Sequence, residues 1–245
     1  MPFYYYYDPT YVLVILGFII CLIFSGIMKS TFSKYSKIRS YSGYDGRMTA
    51  ERILRENGIY NVNIGVVSGS LTDHYDPSSK ALRLSDSVYD KHSIAAIGVA
   101  AHECGHAIQD DKGYLPLVIR SAIVPVVNVC SHLAWVFIII GLVFTGSAQA
   151  ASRYGATSAS TVILNIGIIL FSATVVFQFV TLPVEINASR RGLSILRNTG
   201  ILNQEELKGA SKVLTAAAFT YIASTISAIL SLLRIILIAN QRKNK

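Results

Sequence analysis

His102, Glu103 and His106 stand in the segment His102-Glu103-Cys104-Gly105-His106, and their types and spacing can do chemistry. On a helix, positions four apart lie one above the other on one face, so both imidazoles can reach a single zinc ion. Glu103 sits about 100° round from His102. It misses the metal but can reach a water bound to it. Zinc lowers that water's pKa toward about 7. Glu103 can then accept its proton as it attacks a carbonyl, and pass the proton to a departing amine. The pattern predicts one Zn2+ per chain, held by His102 and His106, with Glu103 as general base. Gly105 leaves room for a close neighbouring helix. Cys104 reads as packing, because nothing in the pattern needs a thiol.

The helix that must carry this pattern is expected from about Ser93 to Gln109. Its first half, residues 94–101, is apolar all round, as in a helix buried within a core. Burying two histidines and a glutamate there is costly unless each has a partner, and a bound metal is the simplest partner for all three. A catalytic zinc takes three protein ligands and keeps one position open. Glu185 is a candidate for the third, because no other acid occurs between Asp111 and Glu205. Its plainer explanation is a partner for Arg190 or Arg191 on a solvated helix. His132, deep in an apolar run, reads as a polar contact between helices, and His92 as a surface or capping residue. Asp110 and Asp111 are too close in sequence to fold back onto the metal.

Ahead of that helix, residues 45–58 read as a helix ending at Gly58. Val62, Ile64 and Val66 then alternate with Asn61, Asn63 and Gly65, the period of a half-buried strand. Residues 71–75 and 81–84 flank Asp76-Pro77-Ser78-Ser79, a turn between two short strands. The strand Leu82-Arg83-Leu84-Ser85 is a candidate edge for pairing with an extended substrate, or an ordinary hairpin strand. His74, in a polar cluster with Asp73, Tyr75 and Asp76, is a candidate oxyanion donor whose plainer role is to stitch the turn. Arg190 and Arg191 are a second candidate pair for oxyanion stabilisation or for orienting Glu185.

Composition sets the surroundings. Of 245 residues, 52% are hydrophobic and only 15% charged, against about 25% in a soluble domain. Four runs approach the roughly 20 helical residues that span a bilayer: 11–28, 117–144, 161–182 ended by Pro183, and 213–239 interrupted by Arg234. The first lacks the flanks of a cleaved secretory signal and reads as a retained anchor. The Tyr4-to-Tyr7 run before it suits an interfacial aromatic belt. The net charge of +8 is concentrated between the first and second runs and between the third and fourth, while the loop 145–160 holds only Arg153. The positive-inside rule places the basic segments in the cytoplasm and the N-terminus outside. The tail Arg242, Lys243 and Lys245 would then lie outside, which favours a partial or bent last helix. Lipid and topology account for the basicity without nucleic acid. Cys21, Cys104 and Cys130 form no disulfide framework and no Cys-x-x-Cys pair.

The expected fold is a mainly α integral membrane protein, with about four transmembrane helices and a small α+β cytoplasmic metallopeptidase domain. Its expected parts are an anchor at 1–28, a cytoplasmic segment with the sheet and motif helix at 29–114, and a transmembrane hairpin at 115–182. A cytoplasmic helix at 183–212 and a membrane helix with a basic tail at 213–245 complete it.

The chain resembles the YugP-like neutral zinc metallopeptidases of bacterial membranes. The resemblance is carried by Leu71-Thr72-Asp73-His74-Tyr75-Asp76-Pro77, by Leu82-Arg83-Leu84-Ser85, by Ala101-His102-Glu103-Cys104-Gly105-His106-Ala107, and by Glu185 with Ala188-Ser189-Arg190-Arg191. More distantly it is similar to the HtpX and CAAX prenyl endoproteases. The resemblance implies that Glu185 is the third zinc ligand. In the distant relatives an aspartate four residues after the glutamate steadies a zinc histidine. Ser189 stands at that position here, so the role is expected to pass to Asn187 or Asp73.

Together these readings predict a zinc-dependent endopeptidase of a bacterial cell membrane. It would cleave membrane-associated or unfolded polypeptides at the cytoplasmic face by Glu103-assisted attack of zinc-bound water. A zinc-binding scaffold or chaperone-like protein is the alternative, though a scaffold has no use for a general base beside the metal. A channel or transporter would need paired charges or broken helices at mid-membrane, and Arg120, His132 and Arg234 are too few and too near the ends.

Overall fold

Helical periodicity and long apolar runs dominate the architecture. The structure, a computed structural model, describes residues 8–145 and 159–243. The Tyr4-to-Tyr7 run, Arg153 and Lys245 lie outside the described residues. In chain order the elements are α1 (Tyr11–Ser36), α2 (Gly46–Glu56), β1 (Asn63–Val67), β2 (His74–Asp76), β3 (Ala81–Ser85), α3 (Ile94–Asp111), α4 (Leu115–Thr145), α5 (Ala159–Asn198) and α6 (Gln204–Lys243). α1, α4, α5 and α6 are each long and apolar enough to cross a membrane. The protein is thus a mainly α integral membrane protein with a small three-stranded sheet.

The described residues fall into two compact units. The first takes those up to Leu22, those from Ile123 to Phe179 and those from Ala223 onward. Its core packs Ala134 and Ile138 with Leu164, Phe171, Val175 and Ile235. Gly141 lies against the backbone of Leu164, and Gly167 against Ile138, so α4 and α5 approach closely where one of them lacks a side chain.

The second unit comprises Ile23–Ala122 and Val180–Ile222 and holds the motif helix. The Asp45 carboxylate accepts from the Met48 amide at 2.6 Å and caps α2, and the Ser93 hydroxyl accepts from the Ala96 amide at 3.2 Å to cap α3. Ile53 and Leu54 of α2, Leu82 and Leu84 of β3, and Ile97 and Ala100 of α3 bury one core. β1 pairs with β3 in parallel and β2 pairs with β3 antiparallel. β3 is therefore the central strand, paired on both sides, and cannot be the free edge for substrate. The edge strands are β1 and β2. The Leu82–Ser85 alternation fits a strand buried on both faces as well as an edge, because a sequence pattern does not record which neighbours pair.

A second difference concerns Pro183. The third apolar run ends there, but its helix does not, since α5 continues to Asn198. Proline removes one backbone hydrogen bond and crowds the preceding turn, yet the turns beyond are held by packing on α3. A Cβ at Gly105 would run into the Ala188 carbonyl oxygen, and one at Gly192 would lie 2.6 Å from the Ala101 carbonyl oxygen. Gly105 thus admits a close neighbour, and that neighbour is the helix carrying Glu185. At 1.5 Å per residue, α5 and α6 are each about 60 Å long, twice the hydrocarbon thickness.

Candidate metal centre

α3 and the end of α5 bring His102, His106 and Glu185 together. One ligand atom from each lies within 4.8 Å of the other two. Glu185 Oε2 is 3.3 Å from His102 Nε2 and 3.5 Å from His106 Nε2. Tetrahedral zinc bonds of about 2.0–2.1 Å place adjacent ligands about 3.3–3.4 Å apart, and both separations from Glu185 are close to that value. The two rings stand edge to face, centroids 4.8 Å apart. Glu185 is 2% exposed, and a carboxylate so buried needs cationic partners.

Each imidazole is oriented through its other nitrogen. Gln109, fully buried on α3, donates its Nε2 to the Val184 carbonyl at 2.9 Å and to Asn187 Oδ1 at 3.0 Å. Its amide oxygen is then the atom 3.0 Å from His106 Nδ1, and that nitrogen must carry the proton. His106 Nε2 keeps a lone pair, as a metal ligand requires. Ser189 Oγ lies 3.0 Å from His102 Nδ1 and is the hydrogen-bond partner of the other ring. So the role expected of Asn187 or Asp73 is held by Ser189 itself. Asn187 acts one step further out, accepting from Gln109 and from Arg191 Nε at 2.7 Å. Asp73 instead accepts from the Ser85 amide and hydroxyl at 2.7 and 2.9 Å, fixing the approach to β2 on the end of β3. We expect Gln109→Leu to weaken zinc affinity by about 10- to 100-fold, the range for partners of metal-bound histidines. Competition against a chelator reads this, and Gln109→Glu, which keeps an acceptor for the ring, should lose less.

Two residues at the centre gave no warning in the sequence. Arg120, in the first turns of α4, donates Nη1 to Glu185 Oε1 at 3.1 Å. Tyr221 of α6 hydrogen-bonds Glu185 through its side chain. The only signal for Arg120 was a lone arginine just inside an apolar run, which reads equally well as the mark of a membrane boundary. Neither Arg190 nor His74 joins the group of ligand atoms. Arg190 is exposed on α5, whereas Arg191 stacks over the Tyr114 ring at 5.9 Å. His74 is exposed on β2, its Nδ1 2.9 Å from the Thr72 carbonyl oxygen.

Glu103 is buried beside the cluster without joining it. The Tyr75 amide of β2 donates to its carboxylate. Burial pushes the Glu103 carboxyl up to about 7, with His102 pulling it down and Glu185 and Asp73 pushing it up. A group with its pKa near neutrality can both take and return a proton. Tyr75 is itself anchored, its hydroxyl donating to Asp110 Oδ2 at 2.6 Å, and Lys80 Nζ reaches the same oxygen at 2.6 Å. The Cys104 thiol is fully buried and pushed up by that burial, which makes it inert packing.

Comparison with known proteins agrees in kind. Residues 10–240 match the model of a family described as "Putative neutral zinc metallopeptidase". The chain is 46% identical over 211 residues to a Bacillus subtilis (strain 168) protein named "Putative membrane protease YugP", covering 86% of this chain and 88% of that protein. No solved structure matches the chain.

Proposed function

The chain belongs to the neutral zinc metallopeptidase family, and on that footing we propose that it is an endopeptidase cleaving membrane-associated or unfolded polypeptides at the cytoplasmic face. The observation that carries this reading is the convergence of two imidazoles on the buried Glu185 carboxylate, with Glu103 alongside but outside the cluster. The cytoplasmic placement follows from the basic residues that flank the sheet and motif helix.

In this reading His102, His106 and Glu185 hold the metal. Zinc there would act as a Lewis acid toward a peptide carbonyl and a water molecule. Glu103, held by the Tyr75 amide, takes a proton from the attacking water and gives it to the amine that departs. Gln109 and Ser189 keep both imidazoles in the tautomer that leaves Nε2 free. Arg120 and Tyr221 hold Glu185 Oε1 and the carboxylate plane, so that Oε2 stays between the histidines. An extended substrate is expected along β2, the edge strand that carries the Glu103 anchor.

The test is cleavage by the purified full chain of unfolded casein and of peptides tethered to a membrane anchor. We expect hydrolysis that a zinc chelator abolishes and added zinc restores. Zinc-loaded protein that cuts neither class would leave the non-catalytic scaffold as the better account.

A further inference from the structure

Away from the metal centre, α1 and α6 border an open cleft of about 390 Å³. One end is polar and basic, lined by Ser30, Thr31, Lys34, Ser211, Lys212 and Thr215. The other end is apolar and is formed by Ile27, Ala216 and Phe219. Phe24 stacks on Phe219, ring centroids 5.4 Å apart, beyond that apolar end. The order along the two helices is opposite, so that like ends meet: Ile27, Ser30 and Lys34 recur on one face of α1, and Lys212, Thr215 and Phe219 on one face of α6.

This polarity matches the edge of a bilayer. The apolar run of α1 gives way to charge at Lys29, and that of α6 begins after Lys212, at Val213. The basic end therefore sits at headgroup level and the apolar end at the level of acyl chains. Among the described residues, neither Lys34 nor Lys212 has a carboxylate within ion-pair distance. A neighbouring cavity of about 350 Å³ shares Ser211 and Lys212 and adds Arg197, while its Lys208 is paired with Glu205 at 2.6 Å. Two lysines and several hydroxyls line the cleft between α1 and α6 with no acid among its lining residues, a set that suits a phosphate oxygen cluster. A basic pocket between membrane helices is the form that anionic headgroup sites take.

We infer that the cleft between α1 and α6 binds an anionic phospholipid, its phosphate between Lys34 and Lys212 and an acyl chain along Ile27 and Phe219. The site is separate from the metal centre. Its occupant lies on α6, whose Ala210 packs 3.2 Å from where a Cβ on Gly98 of the motif helix would stand.

Native mass spectrometry of the full chain in detergent, titrated with phosphatidylglycerol or phosphatidylcholine, tests this. Wild type should retain phosphatidylglycerol at least tenfold more tightly than phosphatidylcholine. The Lys34→Gln, Lys212→Gln double variant should lose that preference, and the Lys34→Arg, Lys212→Arg pair should keep it, with zinc content as the check on folding. Equal retention of both lipids by wild type, or an unchanged preference in the glutamine pair, overturns the inference. Soluble glycerol phosphate binding as tightly as phosphatidylglycerol would make the cleft a free-phosphate site and overturn the lipid assignment.

Discussion

Glu103→Gln is expected to keep its zinc and lose peptide hydrolysis by about 10²- to 10⁴-fold, the usual contribution of a positioned general acid–base group. The substitution conserves shape, and the glutamine carbonyl can still accept the Tyr75 amide that now meets the carboxylate. What it removes is the ability to take a proton. Because Glu103 stands outside the group of converging ligand atoms, zinc content should remain at the wild-type level. Measuring both quantities on one preparation separates the two roles. A variant retaining more than a tenth of wild-type turnover would assign the base to another residue, and one that lost its zinc would make Glu103 part of the metal's support.

Glu185→Ala is expected to do the opposite and release the metal, with affinity falling by more than about 100-fold, beyond what losing an outer hydrogen-bond partner costs. Its Oε2 faces both imidazole Nε2 atoms at 3.3 and 3.5 Å, and no other carboxylate among the described residues joins that group. The variant should still fold. Arg120, which would lose its carboxylate, has a side chain 29% exposed, so its guanidinium can turn to water. Chelator competition gives the affinity, and thermal unfolding confirms the fold. Unchanged zinc affinity in Glu185→Ala would reduce Glu185 to an ion-pair partner of Arg120.

The parts legible in the sequence are those governed by local pattern. The apolar helix around His102 and His106, the strand β1 and the helix ending near Gly58 each reflect a local period or stop signal that needs no knowledge of distant residues. The long apolar runs are legible for the same reason. What was not legible depends on partners far along the chain. Leu82–Ser85 reads as a strand, but its central place in the sheet is decided by pairing with both β1 and β2. Pro183 reads as a stop until the packing of Gly105 on Ala188 is known. Ser189 reads as the loss of a histidine partner because an aspartate is expected there, yet its hydroxyl lies 3.0 Å from His102 Nδ1. Gln109 is one turn beyond His106, and its role needs both Val184 and Asn187 to fix which end of the amide faces the ring. Arg120 and Tyr221 reach Glu185 from α4 and α6, and no spacing rule links those positions.

The most direct test of the central claim is zinc K-edge X-ray absorption on the full chain, purified and loaded with zinc. The account predicts about one zinc per chain, with two imidazole rings and oxygen or nitrogen donors at about 2.0–2.1 Å and no sulfur shell. A sulfur distance near 2.3 Å, a single imidazole, or a chain that binds no zinc would contradict it.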